Sequence, residues 1–271
     1  MKISAIIVSY AVRERLRRCL ASLAADASCG RLEVIVVDNA SADGSAEAVR
    51  AEFPWARLIA HPDNRGFSAA VNAGAEAASG DAFLILNPDT EAPPGTADLA
   101  ERALGAHPRA GAVGFRQVDE NGMLQLSFGL EPGWTTELLR HVVQARFDRS
   151  DRKLASWIDR RFATPRRIAW VSGATLLTPR AAFERTGGFD RGYFLFFEDI
   201  DYCLRLRSAG GEVWYDPSIT FLHHRGQSEA VEQVLAARAY RHSQLRFWRQ
   251  HRGPMAGAAV AFYQRLRGVS P

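Results

Sequence analysis

Short apolar runs alternate with amphipathic stretches over the first third of the chain. Four of these runs consist almost entirely of aliphatic and aromatic residues and predict strands, the first two of them buried strands. They span residues 3–8, 34–37, 58–60 and 83–86. Between them, Leu16, Leu20 and Leu23 recur at helical spacing, and further helices are expected from about Gly44 and over residues 66–78. This alternation predicts an α/β fold with a doubly wound, mostly parallel sheet flanked by helices.

The second half of the chain is less regular. A strand is expected at residues 112–115, and Asn121-Gly122 indicates a hairpin turn. Residues 134–167 are rich in arginine and aromatic side chains and only weakly helical in pattern. An apolar run follows at 168–178, then a short helix after Pro179. Residues 228–267 predict two amphipathic helices broken at Gly253-Pro254.

Composition narrows the classes of protein. The chain has 271 residues, 47% of them hydrophobic, which is enough to bury a full core. A net charge of +4 without a dense basic stripe or a reader motif argues against a nucleic-acid-binding protein. Three cysteines without CxxC spacing favour a reducing compartment. With neither a leader pattern nor a membrane-spanning run, we expect a cytoplasmic protein.

Polar residues follow each of the first four strands, where a doubly wound sheet binds its ligands. They are Ser9 and Tyr10, then Asp38, then Asn64, Arg65 and Gly66, then Asn87 and Asp89. Asp38 can cap the next helix or accept a hydrogen bond from a base or a ribose. The glycine turn before the third helix can place a diphosphate at the helix N-terminus, although such turns are common.

Asn87-Pro88-Asp89 brings a carboxylate to the edge of the same crevice. Mg²⁺ and Mn²⁺ prefer oxygen ligands and share them with substrate phosphates, so Asp89 is a candidate metal ligand. An ordinary Asn-Pro-Asp turn is the alternative.

The richest stretch for chemistry is 196–205, FFEDIDYCLR. Its apolar spacing predicts a helix that starts at Glu198-Asp199 and ends near Gly210. The helix dipole alone accounts for acids at this position. Beside an aromatic run, however, one of them can also serve as a general base toward a hydroxyl. Asp201 is expected to pair with Arg205 four residues later.

Two adjacent histidines, His223 and His224, follow a later apolar run. Histidine at a strand end is either a metal ligand or an ordinary buried or surface residue, and the sequence leaves this choice open.

In this order, the motifs resemble the family 2 inverting glycosyltransferases of the GT-A fold, many of which are rhamnosyltransferases. The blocks that carry the resemblance are residues 6–10 (IIVSY), 37–41 (VDNAS), 64–67 (NRGF), 72–74 (NAG), 86–89 (LNPD), 170–174 (WVSGA), 187–190 (GGFD), 198–201 (EDID) and His223. The resemblance implies a catalytic domain over residues 1–228, with a donor half of about 1–115 and an acceptor half of about 116–228. A C-terminal helical segment would cover 229–271.

The resemblance also implies roles for single residues. Asp199 would be the catalytic base with Glu198 supporting it, and Asp89 and His223 would bind a divalent metal, Mg²⁺ or Mn²⁺, with His224 as the fallback ligand. The nucleotide sugar would contact Ser9, Tyr10, Asp38, Asn64, Arg65, Gly66, Asn72, Asn87 and Gly173. Two departures stand out: Ala11 replaces a frequent asparagine, and Asn87 replaces a frequent aspartate.

The activity implied by the resemblance is transfer of a sugar, rhamnose by default, from a nucleotide diphosphate donor to a glycan or lipid-linked acceptor in cell-surface polysaccharide synthesis. The alternative is a non-catalytic partner or sensor that binds the sugar nucleotide. The missing GxGxxG argues against a dinucleotide-dependent oxidoreductase. The basic, aromatic C-terminal helices could lie on the inner face of the cell membrane, or pack against the domain or a second copy of the chain.

Overall fold

The computed structural model describes residues 1–224 and 233–266. The first third forms the predicted strands and helices. In chain order they are β1 (Ile3–Ser9), α1 (Arg13–Ser28), β2 (Leu32–Asp38), α2 (Ser45–Glu52), β3 (Arg57–Ala60), α3 (Phe67–Ala77) and β4 (Ala82–Leu86). Each predicted apolar run is therefore confirmed as a strand, and each predicted helix lies between the expected strands.

The rest of the chain contributes eight further strands and seven helices within the described residues. They are β5 (Thr90–Glu91), α4 (Thr96–Ala106), β6 (Ala110–Val118), β7 (Leu124–Gln125), β8 (Phe128–Gly129), α5 (Trp134–Asp148), α6 (Arg152–Arg161), β9 (Arg166–Arg167), β10 (Trp170–Val171), β11 (Thr175–Pro179), α7 (Arg180–Arg185), α8 (Glu198–Ser208), β12 (Glu212–His223), α9 (Gln233–Arg252) and α10 (Pro254–Leu266). None of the helices in the described ranges is long and apolar enough to cross a membrane.

The main sheet has the strand order β3-β2-β1-β4-β11-β6-β12-β5. The pairs β3–β2, β2–β1, β1–β4 and β6–β12 are parallel, which confirms the doubly wound half. β11 lies antiparallel between β4 and β6 and joins the two halves of the sheet. The apolar run at 168–178 contains two short strands, β10 and β11. Ser172 and Gly173 lie in the turn between them, at the edge of the sheet.

Both faces of the sheet are covered, which explains the unbroken apolar runs. Successive side chains of β1 point to opposite faces, so Ile6 and Val8 enter one core while Ile3, Ala5 and Ile7 enter the other. All of β1 is buried. The carboxyl edge of the strands is consequently the part of this half that can offer polar groups to a ligand.

The weakly helical stretch after residue 134 forms α5 and α6. Asp151 caps α6 by accepting a hydrogen bond from the Leu154 amide (3.0 Å), and Ser150 before it has a left-handed φ of 57°. The hairpin turn predicted at Asn121-Gly122 is confirmed by the hydrogen bond from the Gly122 amide to the Asp119 carbonyl oxygen (2.9 Å).

The C-terminal helices break at Gly253, as predicted, where φ is 88°. Leu245, Phe247 and Trp248 of α9 are buried in a cluster with Phe197 and Ile200. The aromatic side of α9 therefore packs against the domain, which is one of the arrangements that the sequence left open. The predicted domain boundary at 228/229 and the end of the second helix at Arg267 lie outside the described residues.

Candidate active site

The polar residues predicted to form a crevice stand in one row. The register pairs Ser9 with Asp38 and Asp38 with Ala60, while Ile7 pairs with Leu86, the residue before Asn87. The ends of β3, β2, β1 and β4 therefore meet at one edge of the sheet. The sequence prediction that these four strand ends share an edge is confirmed.

Asp38 and Ser9 each bring to this edge a polar atom that has no hydrogen-bond partner among the described residues. Asp38 Oδ2 accepts a hydrogen bond from the Ser41 amide (3.0 Å), whereas Asp38 Oδ1 and Ser9 Oγ are buried without a partner among the described residues. Asp43, rather than Asp38, accepts from the Ser45 amide at the start of α2 (3.1 Å). Buried polar atoms normally find a partner, so these two indicate a ligand.

The turn before α3 is built around Gly66, whose φ of 81° favours glycine. A Cβ at Gly66 would lie 2.5 Å from the Phe194 carbonyl oxygen. Asn64 Oδ1 accepts a hydrogen bond from the Gly66 amide (3.0 Å), and the Phe67 amide donates to that Phe194 oxygen (2.7 Å). The first donor of α3 is therefore already used, and the turn holds the aromatic segment against the sheet edge.

Two predicted nucleotide-sugar contacts are engaged elsewhere. Both polar atoms of the Asn72 amide bond to the backbone of Phe189: Nδ2 donates to its oxygen (2.8 Å) and Oδ1 accepts from its nitrogen (2.9 Å). The exposed Arg65 guanidinium pairs with Asp63 (3.1 Å). In this structure Asn72 fixes the segment before the aromatic run. Tyr10 lies half-buried at the end of β1.

A cavity of about 730 Å³ opens beside this edge, under α5, α6 and the aromatic run. Asn87, Asp89, Gly173, Glu198, Asp199 and His223, all predicted from the sequence, line it. Most of the remaining wall is apolar, including Leu139, Val143, Trp157 and Phe162. Segments more than 100 residues apart therefore meet around one cavity, and both the acidic pair and the candidate metal ligands line it.

Asp199 is held by the backbone on both carboxylate oxygens. Oδ2 accepts from the Gly173 amide (3.0 Å), and Oδ1 accepts from its neighbour's amide, Ile200 (2.8 Å). Burial raises the pKa of Asp199, and the two backbone hydrogen bonds and the positive charge of Arg140 oppose that rise. An oriented carboxylate with a raised pKa matches what a general base near neutral pH requires.

Glu198 differs from Asp199 in its surroundings. It is buried, and its Oε2 has no partner within the described part of the chain. Burial and the neighbouring negative charge of Asp199 raise the pKa of Glu198 well above its usual value. Of the two adjacent acids, Glu198 is therefore the one whose neutral form its surroundings favour more strongly.

The backbone before this pair is strained. Phe196 and Phe197 have left-handed φ angles of 68° and 66°, which cost free energy for aromatic residues. The strain turns the chain so that α8 begins with the two acids at the cavity. Asp201, one turn on, pairs with Arg205 (2.8 Å) as predicted and also accepts from His251 of α9 (2.7 Å).

The two histidines have different partners. His223 Nε2 lies 3.3 Å from Asp89 Oδ1 in the cavity, and both Asp89 Oδ1 and His223 Nδ1 lack a hydrogen-bond partner among the described residues. His224 contacts Glu120 through Nδ1 (2.6 Å) and Glu91 through Nε2 (2.7 Å). Because both ring nitrogens of His224 are occupied, the geometry favours His223 as the ligand.

The Asp89–His223 pair offers a cation one carboxylate and one imidazole. Nowhere in 1–224 or 233–266 do three or more His, Cys, Asp and Glu side chains lie close enough to hold a metal by themselves. A divalent cation at this pair therefore needs further oxygens from a substrate, as Mg²⁺ and Mn²⁺ commonly take them.

A cationic group in the cavity wall was not predicted from the sequence. Arg140 of α5 donates to Glu137 through Nε (2.9 Å) and Nη2 (2.7 Å), and Nη2 also donates to the Tyr240 hydroxyl (2.6 Å). The spacing of Glu137 and Arg140 on a helix was visible in the sequence. Their position in the cavity depends on packing against α9, a hundred residues away.

Comparison with known proteins finds relatives in sequence and in fold. The N-acetylglucosaminyl-diphospho-decaprenol L-rhamnosyltransferase of Mycobacterium tuberculosis is 33% identical to the chain over 234 residues, which cover 82% of the chain and 76% of that relative.

Two solved structures share the fold. The mannosyltransferase PcManGT from Pyrobaculum calidifontis, in complex with GDP-Man and Mn²⁺, matches with a TM-score of 0.56 and 20% identity over 98% of this chain and 80% of its own. GalNAc-T7 with UDP, GalNAc and Mn²⁺ matches with a TM-score of 0.60 and 14% identity over 83% of this chain, which spans 44% of that structure. The GT-A fold expected from the sequence is confirmed.

The family model for glycosyl transferase family 2 matches residues 4–201. This match takes in the strand-end row, Asp89 and the Glu198-Asp199 pair, and it covers well over half of the chain. The chain therefore belongs to glycosyl transferase family 2 and is a glycosyltransferase.

Proposed function

We propose that this enzyme transfers a sugar, rhamnose by default, from a nucleotide diphosphate donor to a hydroxyl of a lipid-linked glycan, with inversion, in cell-surface polysaccharide synthesis. One observation carries the proposal. Asp199 is held by two backbone amides in a largely apolar cavity, beside the buried Glu198, and the Asp89–His223 pair lines the same cavity. A base and a pair of side chains that can hold a divalent cation, both around one cavity, are the parts that a single displacement needs.

Asp199 is the proposed base. Its carboxylate accepts the proton of the acceptor hydroxyl as that oxygen attacks the anomeric carbon from the side opposite the nucleotide. The Gly173 and Ile200 amides fix the direction of its lone pairs, and burial beside Asp199 raises the pKa of Glu198 and so favours its neutral form. Attack from one side and departure from the other invert the anomeric centre.

The strand-end row is the proposed nucleotide site. Asp38 Oδ1 and Ser9 Oγ, buried and without partners in the described ranges, are placed to accept and donate hydrogen bonds to a base or a ribose. The Asn64–Gly66 turn would lie against the nucleotide, with Asn87 between this row and the cavity.

Asp89 and His223 would hold the divalent cation, Mg²⁺ or Mn²⁺. Asp89 Oδ1 is buried without a described partner and lies 3.3 Å from His223 Nε2, and this separation fits a cation shared by the two atoms. When bound, the cation neutralises charge on the departing diphosphate, so no general acid is needed. Support also comes from the two structural relatives that contain Mn²⁺.

The apolar walls of the cavity support a lipid-linked acceptor. Leu139, Val143 and Trp157 offer no hydrogen bonds to a sugar, but they suit the hydrocarbon next to a glycan head group. The name of the mycobacterial relative, which specifies a diphospho-decaprenol acceptor and a rhamnosyl group, points to the same class of substrates.

The test is to measure transfer with Asp199→Asn, a nearly isosteric change. We expect a loss of about 10²–10⁴-fold in kcat, as for removal of a general base. Binding of the nucleoside diphosphate with Mn²⁺, measured by calorimetry, should stay unchanged. Near wild-type transfer by the variant would overturn the assignment of the base. A protein that only binds the sugar nucleotide would show binding with no turnover in the wild type.

A further inference from the structure

We propose that α5 and α6 dock this protein on an anionic lipid bilayer, so that the mouth of the catalytic cavity opens at the membrane surface. The docking face consists of the exposed apolar residues Leu138, Leu139 and Val142 of α5 and Trp157 of α6, with the basic residues around them.

The apolar part of the docking face lies on two helices that contact each other. Leu138 and Val142 are one helical turn apart, and Leu139 lies beside them on α5. The side chains of Leu138, Val142 and Leu139 are 67%, 52% and 53% exposed, respectively. Trp157 on α6 is 58% exposed. Single exposed apolar side chains need no explanation, but four large ones on two adjoining helices indicate a contact surface.

Basic residues surround this apolar strip. Residues 134–167 contain nine Arg and Lys against four Asp and Glu, a net charge of +5, whereas the whole chain has +4. This segment is therefore one of the two strongly basic parts of the chain, the other being residues 225–271. Lys153 and Arg161 lie one turn before and after Trp157, and neither these two nor Arg149 form an ion pair with any described residue. An apolar strip with a tryptophan between cations is the pattern of a helix lying in a bilayer interface.

The docking face and the catalytic cavity share residues. Leu139 and Trp157 are exposed on the outside and also line the cavity. Contact of this face with a bilayer would thus place the cavity mouth at the depth of lipid head groups, where the reducing-end diphosphate of a lipid-linked glycan lies.

The charge of the docking face favours a lipid bilayer over a second copy of this chain as its partner. In a two-fold dimer through this face, the segment with net charge +5 of one copy would contact the same segment of the other copy, and the like charges would repel. Anionic lipids complement that charge instead. The face also differs from the aromatic side of α9, which is already buried against the domain.

Membrane docking itself does not depend on the proposed function; only its use, access to a lipid-linked acceptor, rests on it. Docking and sugar transfer can therefore be tested separately. Flotation of the whole protein is measured with phosphatidylcholine vesicles, with and without phosphatidylglycerol. One variant pair is Leu138→Ser with Val142→Ser, and the other is Arg149→Glu with Arg161→Glu; none of these four residues lines the cavity. Matched controls with exposed residues elsewhere are Met255→Ser with Phe262→Ser, and Arg18→Glu with Arg102→Glu.

The wild type should float with anionic vesicles and bind less as salt is added. Each basic residue near the surface accounts for about fivefold in partitioning, so the charge-reversed pair should bind at least about tenfold more weakly. The serine pair should also lose binding, while both control pairs keep it. Equal flotation of all variants, or no flotation of the wild type, would overturn the proposal.

Two further measurements separate the remaining outcomes. Transfer to a short, water-soluble acceptor should be unaffected in both docking-face double variants. If the wild type shows no such transfer, the proposed function is wrong, and flotation still tests the docking proposal. If ultracentrifugation finds a dimer that the serine pair abolishes, and the wild type does not bind vesicles, the face joins two copies of the chain and the proposal is wrong.

Discussion

The Arg140–Glu137 ion pair gives the sharpest test of how the cavity is built. The guanidinium makes two parallel hydrogen bonds to the carboxylate and a third to the Tyr240 hydroxyl, so α5 and α9 are tied at the cavity wall. The side chains are 28% and 10% exposed for Arg140 and Glu137, respectively. Replacing Arg140 with methionine removes the cation and leaves the carboxylate buried beside the apolar wall.

The cost of this change follows from the burial. Breaking a buried ion pair by removing one partner destabilises a protein by about 3–5 kcal/mol, because the remaining charge is unpaired. Arg140 is partly exposed and His141 lies 3.4 Å from Glu137, so we expect the lower end, about 3 kcal/mol. For a protein of this size that corresponds to a decrease of roughly 6–10 °C in melting temperature. The double change Arg140→Met with Glu137→Gln removes the unpaired charge and should recover most of the loss.

Urea denaturation and calorimetric melting of the wild type, the single variant and the double variant measure these differences. The same variants report on Asp199, whose pKa the positive charge of Arg140 lowers. Without that charge the pKa of Asp199 rises, so the acidic limb of the transfer-rate profile should move to higher pH in both variants. The reasoning is refuted if the single variant loses less than about 1 kcal/mol, or if the double variant is as unstable as the single one.

Three further predictions follow from the site. Glu198→Gln should raise the melting temperature at neutral pH, because burial raises the pKa of Glu198 and its ionisation costs stability as the pH rises above the usual glutamate pKa. Near pH ~4 the increase in melting temperature should vanish. An equal increase at both pH values would contradict the prediction. His223→Ala should abolish the thermal stabilisation by Mn²⁺ with a nucleoside diphosphate, whereas His224→Ala should retain it; the reverse result would exchange their roles. Gly66→Ala should destabilise the protein by more than about 1 kcal/mol and weaken donor binding, since its Cβ would lie 2.5 Å from a backbone oxygen; wild-type melting and affinity would show that the turn can relax.

The sequence alone determined the doubly wound half and the row of polar strand ends. Strands buried on both faces must be continuously apolar, and the residues that follow them in a parallel sheet come to one edge, so a local pattern is enough to place Asp38 and Asp89 together. The start of α8 at Glu198 could also be predicted, because helical spacing and the following glycines set its limits.

Tertiary structure decided how these parts are combined. β11 enters the sheet antiparallel between β4 and β6, a pairing between distant segments that no local pattern encodes. Asn72 lies in one of the family motifs, yet its amide is used on the Phe189 backbone. His223 and His224 are equivalent in the sequence, and they differ only because the partners of each come from other elements of the fold.

The cavity itself was decided in the same way. Residues 134–167 have too mixed a pattern to be placed from the sequence, since one side of α5 and α6 faces the cavity and the other is exposed and basic. Local spacing fixes which residues share a face of a helix, but which face is buried depends on contacts with segments far along the chain. The sequence therefore identified the acidic pair, and only the packed structure showed the apolar, arginine-flanked cavity in which Asp199 is placed.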